Sequence, residues 1–400
     1  NDGTDVLVLD GNGASATFAG AVTATTYNGI PFYTGDTGSI YTHDVSATDS
    51  SAFYNTAYGL TAMDAIETGD ENTAIGYAAG GKITSGGKNT IIGANAGDAL
   101  TTGSNNVALG YLALSTEDTG NKNTAIGYRA LKDQDYGVDN FNTAVGFDAG
   151  LSITTGVQNT IIGGLAGDAI TEGSHNIAMG HNALTSLNTG ADNVAIGVNA
   201  GGALTTGSNN VAIGNYALDN EDTHGKNVAV GYAALTAQDA GADAYNVAVG
   251  YNTGLSVSTG IKNTLIGGQA GDALTTGSYN VAVGSEALSS EDGNGANVAI
   301  GYRSLKALNA GVEGYNVAIG YEASKSVTTG TTNTIIGAFA GDALTTGSNN
   351  VAIGYQALST EDAHGRNVAI GKSTLQAQDA GADAYNIAVG YNAGYSVTTG

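Results

Sequence analysis

The sequence predicts an all-β fold in which about twenty short coils stack as a parallel β-solenoid. A five-residue core, Asn-[Thr/Val/Ile]-[Ala/Ile/Leu]-[large apolar]-Gly, recurs along most of the chain every seventeen residues, as from Asn72 to Asn89. Such a unit is too short for a pair of helices, and a glycine at the fifth position of every repeat would weaken any helix. Short strands joined by turns fit this pattern.

The repeat is regular enough to place every coil. Four coils, which we call the long coils, have two extra residues; they begin at Asn123, Asn227, Asn297 and Asn367, and the last three of these are evenly spaced. The twenty coils begin at Asn55, Asn72, Asn89, Asn106, Asn123, Asn142, Asn159, Asn176, Asn193, Asn210, Asn227, Asn246, Asn263, Asn280, Asn297, Asn316, Asn333, Asn350, Asn367 and Asn386.

The coil that begins at Asn350 illustrates the expected local structure. The β-branched residues Val351 and Ile353 predict a strand, and Gly354 predicts a sharp corner. The segment YQAL at 355–358 is expected to form a second strand, and the polar remainder to loop back.

Three further positions of each coil carry information about its interior. The eighth residue is Ala in 17 coils, which predicts a narrow interior, and the ninth is mostly Leu or Gly, with Leu filling volume that Gly leaves free. The asparagine at position one has two interpretations: a ladder of side-chain amides along the axis, or tolerance of a left-handed backbone at a turn.

The strands are apolar on both faces, which predicts self-association. Side chains alternate along a strand, so Val351 and Ile353 point one way and Ala352 the other. A strand with two apolar faces is buried on both, and a coil this thin covers one of them. In some coils the third residue is larger still, as in Ile91, Ile161, Leu265 and Ile335.

Composition and charge exclude several classes of function. The chain has 63 Gly, one Pro and no Cys, so disulfides and thiolate metal sites are absent. Its 12 Lys+Arg against 36 Asp+Glu give a net charge of −24, so it would repel nucleic acid and anionic membranes. The sequence has no apolar run long enough to span a bilayer, and we expect no membrane insertion.

The repeat resembles a known family. The strings NTAIGY (72–77), NTIIG (89–93) and NVALGY (106–111) are similar to the YadA-type head repeat of trimeric adhesins. The longer unit, with TTGSNN (101–106) between cores, is more similar to the repeats of bacteriophage tail fibres and spans about 55–400.

This resemblance implies a left-handed parallel β-roll assembled as a homotrimer with two identical chains. Residues 1–54 would form an N-terminal connector and cap, and 55–400 the YadA-like β-roll repeat domain. The implied function is the structural shaft of a phage tail fibre in the virion tail. Its partners would be other tail or baseplate proteins and a cell-surface glycan or protein receptor. The alternative is a trimeric autotransporter-type adhesin on the bacterial cell surface.

We find no candidate catalytic residue, cofactor site or metal site, and expect no enzyme activity. GRNVAIGKST (365–374) fails the Walker pattern because Arg366 replaces its first glycine. The acidic turns 115–120, 219–225 and 359–365 match no calcium motif and are expected to be solvated loops. The histidines are dispersed and expected at surfaces and turns; they are His43, His175, His181, His224 and His364. Around a threefold axis, three copies of His175 or of His181 could still hold an ion.

Two groups of surface residues are candidates for contacts. Tyrosines at position six, such as Tyr111 and Tyr128, are expected to pack on neighbouring strands rather than to stack on sugars. The long coils carry insertions that end in an aromatic residue and are expected to bulge outward and make lateral contacts. These insertions are 132–141, 236–245, 306–315 and 376–385.

Overall fold

The computed structural model describes residues 26–27, 30–31, 40–41 and 51–399. Most of the predicted connector and cap therefore lies outside the described residues. Strands β1 and β2 form a small antiparallel pair, and β3 pairs in parallel with β4. Within the described part of the chain, no helix is long and apolar enough to cross a membrane.

The predicted parallel β-solenoid is confirmed. Each five-residue core forms a three-residue strand that pairs, parallel and in register, with the strand one coil away, as Val194 pairs with Val211. The strands are β1 Thr26–Tyr27, β2 Ile30–Pro31, β3 Ile40–Tyr41, β4 Thr56–Tyr58, β5 Thr73–Ile75, β6 Thr90–Ile92, β7 Val107–Leu109, β8 Thr124–Ile126, β9 Thr143–Val145, β10 Thr160–Ile162, β11 Ile177–Met179, β12 Val194–Ile196, β13 Val211–Ile213, β14 Val228–Val230, β15 Val247–Val249, β16 Thr264–Ile266, β17 Val281–Val283, β18 Val298–Ile300, β19 Val317–Ile319, β20 Thr334–Ile336, β21 Val351–Ile353, β22 Val368–Ile370 and β23 Ile387–Val389.

The second strand expected in each coil is wrong. Residues 355–358 form turns, and Gln356 and Leu358 have φ values of 52° and 53°. Strand residues require negative φ, so alternate left-handed residues curl this segment instead of extending it. Each coil therefore contains one short strand, and turns make up the rest.

The glycine at position five forms a close contact along the whole ladder. Gly197 has φ +135°, and a Cβ atom there would lie 2.6 Å from the carbonyl carbon and oxygen of Gly214 in the next coil. Both the backbone conformation and this contact exclude any larger residue. The corner predicted from the sequence is therefore also a place where successive coils approach closely.

The third residue of each core points into the coil, and the second and fourth point outward. Ile91, Ile161, Leu265 and Ile335 are fully buried within a single chain, so their face needs no partner. The alanines at position eight are also buried, as the narrow interior requires. Coils with glycine at position nine hold no free volume, because a Cβ on Gly80 would lie 2.7 Å from Cδ1 of Ile83.

The asparagines at position one form the side-chain ladder. The backbone N–H of Asn89 donates to Oδ1 of Asn72 at 3.0 Å, and Nδ2 of Asn72 donates to the carbonyl of Gly86 at 2.9 Å. The left-handed residue is the one before each asparagine, such as Lys88 with φ 61°. The ladder interpretation is confirmed, and the left-handed turn is assigned to the neighbouring position.

Candidate functional site

The outward strand face forms a continuous aliphatic stripe along the rod. In the single chain its side chains are partly exposed; the values are 41% for Leu109, 37% for Met179 and 37% for Ile196. The fourth position of the core holds Ile, Val, Leu or Met in every strand from β5 to β23, so the stripe is unbroken there, whereas the second position varies among Val, Ile and Thr. A long, flat apolar array of this kind is typical of a surface that another molecule covers.

A buried glutamate precedes every long coil. Glu117, Glu221, Glu291 and Glu361 are fully buried, and each is the twelfth residue of the coil before a long coil. At this position the remaining coils carry an aliphatic residue, or glutamine in three of the long coils. The expected solvated loops are therefore wrong for these glutamates, although neighbouring Asp118 and Asp362 are exposed.

These carboxylates join one coil to the insertion of the next. Oε1 of Glu117 accepts a hydrogen bond from the N–H of Gly120 at 2.6 Å, and its Oε2 accepts one from Nδ2 of Asn140 at 2.8 Å. Glu361 likewise accepts from the N–H of His364 at 3.1 Å and from the N–H of Ala380 at 3.3 Å. Each of these two glutamates therefore accepts one hydrogen bond from its own turn and one from the insertion of the long coil, and the buried donors are partnered.

Burial changes the acidity of these groups. The pKa of Glu221 is raised to about 7, mainly by desolvation and to a smaller extent by the nearby Asp239, Asp222 and Asp243. Desolvation also raises the pKa values of Glu117 and Glu291.

Three clusters around the glutamates bring possible metal ligands together, with ligand atoms within 4.8 Å of one another. They are Glu221–Asp222–His224, Glu361–Asp362–His364 and Glu117–Asp118–Asp135. In all three clusters a backbone N–H three residues further along the same turn donates to one carboxylate oxygen of the glutamate, so local hydrogen bonds partner that oxygen without an ion. Apart from Asp135, these clusters lie in the acidic turns that the sequence analysis compared with calcium motifs. The sequence analysis missed the burial of their glutamates, and the signal that reveals it is the coincidence of Glu with the following long coil.

The other histidines are not brought together. His175 is exposed with its Nδ1 3.6 Å from Asp192 Oδ1, His181 is exposed, and His43 lies outside the described residues. Of the five histidines, His224 and His364 join the carboxylate clusters.

The aromatic residues at positions six and seven form columns along the surface. Tyr128 stacks on Phe147 with ring centroids 5.0 Å apart and an interplanar angle of 7°, and Tyr111 stacks on Tyr128 at 5.6 Å. Further columns run through Tyr232 and Tyr302. Because stacked rings cover the faces of one another, the geometry favours packing over stacking on sugars.

The insertions project from the surface, as expected from the sequence. No neighbouring atom lies within 4 Å of the Cβ position of Gly241 at one insertion tip. The base of the same insertion is fixed by Lys226, whose Nζ lies 2.5 Å from Asp243 Oδ2 and 5.2 Å from the ring centroid of Tyr245. Open tips of this kind are suited to contacts with another molecule.

Comparison with protein-family models finds no match, and comparison with curated proteins finds none either.

Proposed function

We propose that the chain is the structural shaft of a homotrimeric viral tail fibre, with left-handed coils and three chains around one axis. It holds an attachment tip away from the particle, and its activity is stiffness rather than catalysis. The shaft belongs to the virion tail and joins other tail or baseplate proteins. The assignment to a tail fibre rests on the resemblance of its repeats to those of tail fibres.

The outward aliphatic stripe is the observation that carries this proposal. Ile196 and Met179 lie on adjacent strands of one flat face, which the chain itself leaves partly exposed. Burial of apolar surface contributes about 25 cal/mol per Å². Repeated over twenty coils, this contribution favours coverage of the stripe by identical chains.

The axial contacts support a role that depends on stiffness. Every step along the rod combines strand hydrogen bonds, an asparagine side-chain bond and a glycine contact, as between the coils of Asn176 and Asn193. In a stacked repeat each unit depends on its neighbours, so these contacts add along the axis.

Electron microscopy of the purified chain tests whether it forms a trimeric rod. A spacing of ~4.8 Å per coil predicts straight rods about 95 Å long for the repeat region. Class averages viewed along the axis should show three lobes. Compact or single-lobed particles would contradict the proposal.

A trimeric surface adhesin of bacteria is the second candidate, and the open insertion tips favour it. Gly241 and Gly311 have no atom within 4 Å of a Cβ position, so both tips face free space. In an adhesin these tips would contact a host glycan or protein directly. Replacing insertion residues 239–243 and the identical residues 379–383 with the turn of a coil of ordinary length should then weaken cell binding by the purified rod, whereas a pure shaft shows no such binding to lose.

A further inference from the structure

Three of the four long coils hold a cation at the base of the insertion. The cation is the last residue of the preceding coil and lies between a carboxylate and an aromatic ring of the insertion, an arrangement that we call the basal contact. Nζ of Lys226 lies 2.5 Å from Oδ2 of Asp243 and 5.2 Å from the ring centroid of Tyr245. The arrangement accepts an ammonium or a guanidinium group, because the other two trios are Lys122 with Asp139 and Phe141, and Arg366 with Asp383 and Tyr385.

The fourth long coil, which begins at Asn297, has the carboxylate and the ring without the cation. Glu313 and Tyr315 occupy the acidic and aromatic positions, and Ala296 occupies that of the cation. Within the described part of the chain, no cation forms an ion pair with Glu313 or lies over the ring of Tyr315. Tyr315 is 60% exposed, so this incomplete basal contact is accessible to another molecule.

The backbone at the incomplete basal contact matches that at a complete one. Ala296 has φ 58°, and its N–H donates to the carbonyl of Ser278 at 3.0 Å. Lys226 likewise has φ 65°, and its N–H donates to the carbonyl of Ser208 at 3.2 Å. The missing side chain, rather than a different fold of the turn, therefore distinguishes the two sites.

One oxygen of the carboxylate is held in the same way in both sites. The N–H of Gly295 donates to Oε2 of Glu313 at 3.1 Å. The N–H of Gly225 donates to Oδ1 of Asp243 at 3.2 Å, and Oδ2 of this aspartate accepts from Lys226. Oε1 of Glu313 is the equivalent second oxygen and has no partner among the described residues. The backbone therefore orients the Glu313 carboxylate before any cation binds.

We propose that Glu313 and Tyr315 bind a lysine or arginine side chain of a partner protein. The carboxylate supplies an ion pair, and the ring face attracts the cation, as in the complete basal contacts. One carboxylate and one ring bind a free amine only weakly, because association carries an entropic cost that a docked protein shares over its whole interface. The net charge of −24 favours the approach of a basic partner. The site lies in one chain and does not depend on the shaft function, so either proposal can fail alone.

Fluorine NMR of the full chain with fluorotyrosine in place of Tyr315 tests the site. The probes are N-acetyl-lysinamide and N-acetyl-argininamide, with N-acetyl-glutaminamide as the neutral control, all at constant ionic strength. We expect a weak, saturable shift of the resonance with both cationic probes and none with the neutral one. Absence of a shift, or an equal shift with the neutral amide, would overturn the proposal.

Filling the site from within the chain should abolish this response. Ala296→Lys supplies the missing cation, so the probes should no longer shift the resonance of the label at Tyr315. The matched control, Thr332→Lys, adds the same charge at the last position of a coil that no long coil follows, and should respond like the wild type. Equal responses in the two variants would mean that the probes sense general surface charge, which would contradict a site at Glu313.

Opening a complete basal contact should create a second site. Lys226→Ala leaves Asp243 and Tyr245 without their cation, so a label in place of Tyr245 should respond to the probes in this variant and not in the wild type. The variant should fold, because exposed ion pairs contribute little to stability, and a melting curve verifies this. At the original site, Glu313→Gln should weaken probe binding about threefold. A label at Tyr245 that responds equally with and without Lys226, or unchanged binding in Glu313→Gln, would refute the assignment.

Discussion

The backbone N–H of Asn193 donates a hydrogen bond to the side-chain Oδ1 of Asn176, at 3.1 Å. Nδ2 of the same Asn176 side chain donates to the carbonyl of Gly190 at 3.0 Å. One buried amide therefore satisfies the first donor of the next coil and an acceptor in the last turn of its own coil, neither of which has a backbone partner. Repetition of this arrangement explains why the first residue of every coil is asparagine.

Asn176→Ala should loosen the coil that follows it. The variant leaves the N–H of Asn193 and the carbonyl of Gly190 buried without partners, at about 1–3 kcal/mol for each unsatisfied group. Hydrogen–deuterium exchange should be faster around residues 188–194. Thr189→Ala, at an exposed turn position, should leave exchange unchanged. Equal protection in both variants would show that the ladder contributes nothing.

Gly197→Ala should be far more disruptive than Gly241→Ala. A Cβ at position 197 would lie 2.6 Å from the Gly214 carbonyl, whereas at position 241 it meets no atom within 4 Å. At Gly241 φ is +66°, in the left-handed region, so alanine there costs about 1–2 kcal/mol of backbone strain. At Gly197 φ is +135°, a conformation essentially restricted to glycine, so alanine there adds a larger strain to the steric clash. Melting temperatures of the two variants provide the measurement, and similar values would contradict the close axial contact.

Stability should rise as the pH falls from 8 to 5. A carboxyl whose pKa is raised in the folded state holds its proton more tightly there than in the unfolded chain. Its contribution to stability is therefore complete below the pKa of the unfolded state and is lost as the pH rises through the pKa of the folded state. For Glu221 this window runs from 4.5 to about 7, a contribution of up to about 3 kcal/mol. Thermal melts at pH 5, 6.5 and 8 measure it.

Two other carboxyl groups have lowered pKa values, and their effect on stability appears at lower pH. Lys226 lowers the pKa of Asp243, and Lys306 and Arg303 lower that of Glu286. The stability from these pairs is present above the unfolded pKa values of 3.8 and 4.5 and is lost as the pH falls through the lower folded values. Glu221→Gln should flatten the melting profile between pH 5 and 8, and a wild-type profile that rises towards pH 8 would refute the assignment.

Glu117→Leu should destabilise the long coil that begins at Asn123. Leucine is the ordinary residue at this position of other coils, but here it removes the acceptor for Nδ2 of Asn140. Exchange should accelerate over residues 135–141. Glu172→Leu, at an exposed turn, is the control. A Glu117→Leu variant as protected as the wild type would show that the glutamate is not needed by the insertion.

The periodic features could be predicted from the sequence because each coil repeats the same physical constraint. The strand at Val351–Ile353, the corner at Gly354 and the narrow interior were all correct. The expected second strand was wrong because positive φ at Gln356 and Leu358 is not evident from those residue types. The burial of Glu117 was missed because its partner, Asn140, lies in a different coil.

Sedimentation equilibrium of the full chain in dilute solution tests most directly whether sister chains cover the outward stripe that includes Ile196. The account predicts a species of three times the 39.5 kDa chain mass that persists on dilution. A stable particle of 39.5 kDa, with the stripe left in contact with water, would contradict it.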